Sequence, residues 1–138
     1  MLAEITAKGG CLLLGVGPTA QGIIEKEAVE RLEKVGEWLK VNGEGIYNTR
    51  TTPNYNSGNT WFTANKDGKK LYAIYSLPES EMLPSTIEWE GNAPKKGSKM
   101  TLLQNNKSLK WKTVGDKTIV TLPKKLKQEP LVLSFNVN

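Results

Sequence analysis

The chain has 138 residues, enough for one domain with a small appendage. With 38% apolar residues and ten Trp, Tyr or Phe, it has the composition of a packed core rather than of disorder. It has no histidine and a single cysteine, Cys11, which excludes a Ser-His-Asp triad, a two-histidine zinc site and an internal disulfide.

The net charge of +5 is unevenly placed. Residues 1–90 carry nine basic and twelve acidic groups (−3), whereas residues 91–138 carry ten Lys against Asp116 and Glu129 (+8). Such lysines read first as cover for the solvent faces and edges of a β domain, where they block edge pairing, and only second as a patch for an anionic partner. No apolar run approaches the roughly 20 residues of a membrane span, and the N-terminus lacks a signal-peptide layout. No membrane, nucleic acid, metal or cofactor is expected as a partner of this chain.

In chain order, the first predicted element is a strand over residues 11–16, Cys11-Leu12-Leu13-Leu14-Gly15-Val16. Its continuous apolar character fits a parallel strand buried on both faces, and it ends at Gly17-Pro18. The second is a helix over about residues 25–41. Val29, Leu32, Val35 and Leu39 form its apolar stripe, Glu27/Arg31 and Glu30/Lys34 are spaced as surface pairs, and Asn42-Gly43 supplies a left-handed stop.

Residues 48–58 are polar and aperiodic, which predicts a linker between residues 1–47 and a second unit at 59–138. That unit predicts seven short strands, near 59–65, 71–77, 85–90, 99–104, 108–114, 117–122 and 130–137, with Asp67-Gly68 and Gly115-Asp116 as hairpin turns. Seven such strands suggest an antiparallel sandwich. The fold class is therefore mainly β, an antiparallel sandwich preceded by one strand–helix unit.

Three constellations bear on chemistry. Gly15-Val16-Gly17-Pro18-Thr19-Ala20 matches a dinucleotide fingerprint, but Pro18 removes an amide and the helix starts too late to face a pyrophosphate. The carboxylates fall on the helix surface and in hairpins, with nothing to pair two of them across a glycosidic bond. Trp61, Tyr72, Tyr75, Trp89 and Trp111 read mainly as core, with Trp61 and Trp89 the candidates for stacking on a sugar; Trp38, beside the helix stripe, reads as buried.

A family resemblance rests on Lys8-Gly9-Gly10-Cys11-Leu12-Leu13-Leu14-Gly15-Val16-Gly17-Pro18-Thr19, then Gly36-Glu37-Trp38-Leu39-Lys40-Val41-Asn42-Gly43-Glu44-Gly45-Ile46-Tyr47 and Thr49-Arg50. These segments resemble the K-x-G-N-L-L-L-N-x-G-P-T and G-x-W-L-x-x-N-G-E-x-I-Y signatures of the family 29 glycoside hydrolases, the retaining α-L-fucosidases. Phe62-Thr63, Lys66 to Ile74 and Leu109-Lys110-Trp111 are similar to strands of that family's C-terminal domain. Asn is usual in the family where Cys11 and Gly15 stand.

The resemblance implies a (β/α)8-like barrel whose last strand and helix begin this chain, followed by a β-sandwich. It implies that the catalytic carboxylates lie upstream, so no catalytic residue is expected here and the chain alone should be inactive. Gly15, Gly17, Pro18 and Thr19 would approach the barrel mouth. The implied partners are the rest of the barrel and, through the parent, fucosylated glycans; the implied parent is secreted, periplasmic or lysosomal in type. Without neighbouring strands, residues 11–16 would be free to pair with a second copy of the chain. A non-catalytic carbohydrate-binding sandwich and a basic interaction domain are the competing readings.

Overall fold

Turn chemistry and alternation shape the β portion. Gly58, Gly68 and Gly115 all adopt positive φ at hairpin turns, where a side chain would strain the backbone. Between such turns, alternate residues face inward: in Thr86–Glu90 only Ile87 and Trp89 are buried. The computed structural model describes residues 1–138 and contains eight strands: β1 (Asn56–Ser57), β2 (Thr60–Ala64), β3 (Lys70–Tyr75), β4 (Thr86–Glu90), β5 (Met100–Leu102), β6 (Lys107–Val114), β7 (Lys117–Thr121) and β8 (Leu131–Asn136). All seven strands expected from the sequence are present, joined by the short β1.

The strands run antiparallel in the order β1-β2-β3-β8-β5-β6-β7-β4. β6 turns the corner. Its residues 107–109 pair with β5 and its residues 110–114 with β7, so the sheet folds over on itself. The two open edges meet at one end, where Ser57 Oγ accepts from Glu90 N–H at 3.0 Å and Asn92 Nδ2 donates to Asn54 O.

The main core lies between the folded halves. Trp89 from β4 is 1% exposed, meets Phe62 edge-on at 5.7 Å and stacks on Phe135 at 5.8 Å. A second, smaller core covers the outer face of β3 and β8, where Tyr72, Ile74 and Val132 pack with Ala3 and Leu103. Ala3 belongs to α1 (Leu2–Ala7), a short helix that the sequence reading did not anticipate.

The helix predicted near 25–41 is α2 (Lys26–Asn42). The Glu27–Arg31 pair forms at 2.6 Å, whereas Glu30 pairs with Lys26 rather than Lys34. The expected left-handed stop is absent: Gly43 is helical (φ −61°), and the chain passes directly into a 3-10 turn at Gly43–Gly45. Glycine is required there for space, since a Cβ on Gly43 would lie 2.8 Å from the Tyr47 ring.

Two further expectations are corrected. Residues 11–16 form no strand and make no backbone hydrogen bond, because a strand of a parallel sheet needs a neighbour on each side and this chain supplies none. The segment 48–58 is not a free linker. Arg50 bridges Ala64 through two backbone hydrogen bonds, and Asn56–Ser57 is β1 itself.

Candidate functional site

The anticipated mouth residues lie in an exposed loop. Gly15, Gly17 and Pro18 are exposed, and a Cβ on either glycine would meet nothing within 4 Å. Thr19 is half-buried and closes a local turn: its amide donates to Ile23 O at 2.8 Å, and its hydroxyl accepts from Ile23 N–H at 3.2 Å. The other end of the same segment is held tightly. A Cβ on Gly9 would lie 2.9 Å from Thr51 Cγ2, and one on Gly10 would lie 3.0 Å from Ile5 Cγ2. The segment thus starts beside Thr51 and α1, and its Leu12 and Leu14 line a groove against the sandwich before the chain turns at Thr19.

α2 repeats this polarity. Its first three turns leave Val29, Leu32 and Val35 on the surface, at 37%, 36% and 41% exposed, and Leu39 further on is half-buried. Its C-terminal end is anchored. Trp38 Nε1 donates to Pro130 O at 2.8 Å, and Asn42, fully buried, donates through Nδ2 to Trp38 O at 3.2 Å.

The 3-10 turn then locks onto β2 and β3. Gly45 sits so close to Val132 that a Cβ would approach its Cγ1 to 2.7 Å, and Thr63 Oγ1 donates to Gly45 O at 2.7 Å. Glu44 accepts from Lys70 Nζ and, at 2.9 Å, from Tyr72 Oη. The Lys70 hydrogen bond holds the Glu44 carboxyl below its ordinary range. Burial, and then the Glu44 hydrogen bond, push the Tyr72 phenol well above its usual value. Through these hydrogen bonds Glu44 clamps the turn to β3.

Of the two aromatic candidates, Trp89 is corrected: its ring is sealed in the core and offers no face to a sugar. Trp61 is half-buried on the outer face, stacked with Tyr55 at 6.4 Å, with Lys8 Nζ 5.4 Å from its ring centroid. No three His, Cys, Asp or Glu side chains come together as a metal site. Glu44, Lys70 and Tyr72 were missed in the sequence because the contacts join positions 26 and 28 residues apart. Only the Asn42-Gly43-Glu44-Gly45 run hinted at a constrained turn.

An apolar groove of about 680 Å³ separates α1, α2 and the sandwich, lined in part by Leu2, Leu12, Leu14, Val35, Trp38 and Pro130. With Leu13 at 95% and Ile23 at 64% exposed, residues 11–41 present an apolar face that nothing in the chain covers.

Comparison with known proteins accounts for both halves. Residues 54–136 match the description "Alpha-L-fucosidase C-terminal domain". The chain belongs to the α-L-fucosidase family. Residues 1–44 match the description "Alpha-L-fucosidase". The chain is 46% identical over 77 residues to plasma α-L-fucosidase of Rattus norvegicus, covering 54% of this chain and 17% of that protein. It is 35% identical over 127 residues to tissue α-L-fucosidase of Homo sapiens, covering 88% of this chain and 26% of that one.

Among solved structures, Thermotoga maritima α-fucosidase in complex with a mechanism-based inhibitor superposes with a TM-score of 0.78 at 28% identity, over 98% of this chain and 32% of that one. The α-L-fucosidase isoenzyme 1 of Paenibacillus thiaminolyticus gives 0.79 at 26% identity, over 99% and 32%. The chain thus spans between a sixth and a third of these relatives and is the C-terminal part of a family 29 fucosidase.

Proposed function

We propose that this chain is the non-catalytic support of a retaining α-L-fucosidase, and that the parent releases terminal α-L-fucose from glycans through a covalent glycosyl-enzyme intermediate. One observation carries the reading. The sandwich binds the end of α2, Gly9 just before the 11–16 segment packs against Thr51, and residues 15–19 at the other end make no contact of this kind with the sandwich. Barrel enzymes place chemistry at the C-terminal ends of their strands and stability at the opposite face. A domain that holds only the opposite end fixes the last strand–helix unit without reaching the reacting sugar.

The uncovered face of residues 11–41 supports the same reading, since the remaining barrel is the natural cover for Leu13, Val16, Val29 and Leu32. In the isolated chain a second copy is the available cover, so self-association through residues 11–16 is the companion proposal for this chain alone.

The test is a chimera in which the chain replaces the corresponding C-terminal part of the Thermotoga maritima enzyme, assayed on an aryl α-L-fucoside beside the isolated chain. An active chimera and an inactive chain are expected. A folded but inactive chimera, or turnover by the chain alone that survives repurification, overturns the reading.

A further inference from the structure

Lysines far apart in the sequence gather at one end of the sandwich. β2 and β3 are joined there by residues 65–69, β8 ends there at Asn136, and residues 95–99 lead there into β5. Backbone hydrogen bonds tie these loops together: Val137 N–H donates to Lys69 O at 3.0 Å and Lys95 N–H to Asn136 O at 2.8 Å. Met100 stands opposite both Phe135 and Leu109, so one step further along β5 sets Lys99 beside Asn136 and Lys110.

Lys66, Lys69, Lys95, Lys96, Lys99 and Lys110 are all exposed, and none takes part in a salt bridge. Asp67, the carboxylate within the 65–69 turn, accepts the Lys69 amide at 2.9 Å, and Glu44 is committed to Lys70 and Tyr72. Like charges at neighbouring strand positions repel, and Asp67 is the one carboxylate in the 65–69 turn against these six lysines. Five of the six lysines lie in loops at the end of the sheet rather than along an edge strand, so protection of edges does not account for them.

Beside Lys66 is a shallow depression of about 430 Å³ lined by Tyr47, Asn48, Thr49 and Asn65, with the Lys70-paired Glu44 in its wall. Tyr47 is 59% exposed. Its ring offers a face to the apolar side of a sugar, and the Asn and Thr side chains offer donors and acceptors to hydroxyls.

We propose that this end of the sandwich binds a sulfated polysaccharide, with sulfate groups on the lysines and a sugar ring in the depression against Tyr47. Sulfate is favoured because a sulfate ester offers three terminal oxygens to separate ammonium donors where a carboxylate offers two, and these six cations are lysines, which bind as point charges. A single exposed ring gives no ladder on which successive bases could stack, which disfavours a nucleic-acid strand. The choice of a glycan also rests on the fucosidase reading, but binding by this chain can be measured without any catalysis.

The experiment titrates the 138-residue chain with dextran sulfate, neutral dextran, polygalacturonate and duplex DNA by calorimetry at two salt concentrations. Dextran sulfate should bind, more weakly at the higher salt, and neutral dextran should not. K95Q/K96Q/K99Q should weaken that binding about tenfold or more, and Y47A should weaken it as well. K107Q/K124Q/K125Q, which removes the same charge from other exposed sites, should change it less than about twofold; thermal melts establish that each variant is folded. Equal losses from the two triple variants would reduce the effect to net charge and overturn the site. So would no binding of dextran sulfate, or DNA or polygalacturonate bound as tightly.

Discussion

Replacing Trp89 with alanine tests the architecture at its centre. The indole is 1% exposed, crosses Phe62 edge-on at 5.7 Å and lies on Phe135 at 5.8 Å, so it joins β4 of one half of the folded sheet to β2 and β8 of the other. Burying a Trp removes up to about 250 Å² from water, an upper limit of about 6 kcal/mol at 25 cal/mol/Å². Measured truncations of buried aromatics cost about 3–5 kcal/mol, because the cavity partly collapses. Trp111 provides the control. It is the same residue on β6, half-buried at the rim, with its Nε1 donating to Ser98 O at 3.2 Å. Its truncation should cost about 2–3 kcal/mol, roughly half the cost of a fully buried ring plus one hydrogen bond. Urea unfolding of W89A and W111A, followed by fluorescence and circular dichroism, gives both values. W89A should lose more than W111A, by about 1 kcal/mol or more. An equal or smaller loss for W89A would mean that the two halves are not packed through this ring.

The remaining predictions concern the joint and the open face. G45A should destabilise by about 2 kcal/mol or more, because its Cβ would meet Val132 at 2.7 Å in a close-packed contact; a loss below about 0.5 kcal/mol in the same melts would count against that approach. Glu44 titrates below its ordinary value in the folded chain, so its charge stabilises above the unfolded pKa and ceases to do so as pH falls through the folded one. With side chains 34% and 49% exposed in the Lys70–Glu44 pair, E44Q should cost less than about 1 kcal/mol at pH 7, and the difference from wild type should shrink as the pH falls through the carboxylate range. A difference that grows on acidification would reverse the assignment. The isolated chain should self-associate, and L13S/L14S should return it to a monomer in light scattering; a monomer at high concentration without the substitutions would refute that. Cys11, exposed in the single chain, should react with a thiol reagent faster on dilution if copies pair there.

The strands were legible because they are written locally. Ile87 and Trp89 alternate with Thr86, Glu88 and Glu90, and the burial of β4 follows that pattern residue by residue. α2 was legible for the same reason, although its apolar stripe has no cover within this chain. The run at residues 11–16 misled because its apolarity records a sheet whose other strands are elsewhere, and strand pairing is a property of neighbours. Trp61 and Trp89 looked alike in sequence. What separates them is where the β4 half folds over β2 and β8, a long-range fact that no local pattern encodes. Glu44 carried no local signal of its role because its partners arrive from β3.

The joint at residues 42–49 also bears on how such enzymes can be recombined. Its contacts run from the end of α2 through Glu44 and Gly45 into β2, β3 and β8, and none extends to residues 15–19. A cut placed after Asn48 would divide Glu44 from Lys70 and Gly45 from Val132, and would ask two unrelated surfaces to meet at a spacing that tolerates no extra methyl group. A cut placed before Leu2 carries both sides of the contact in one piece. For anyone exchanging sandwiches between relatives, the transferable unit is therefore the sandwich together with α1, α2 and the turn that binds them.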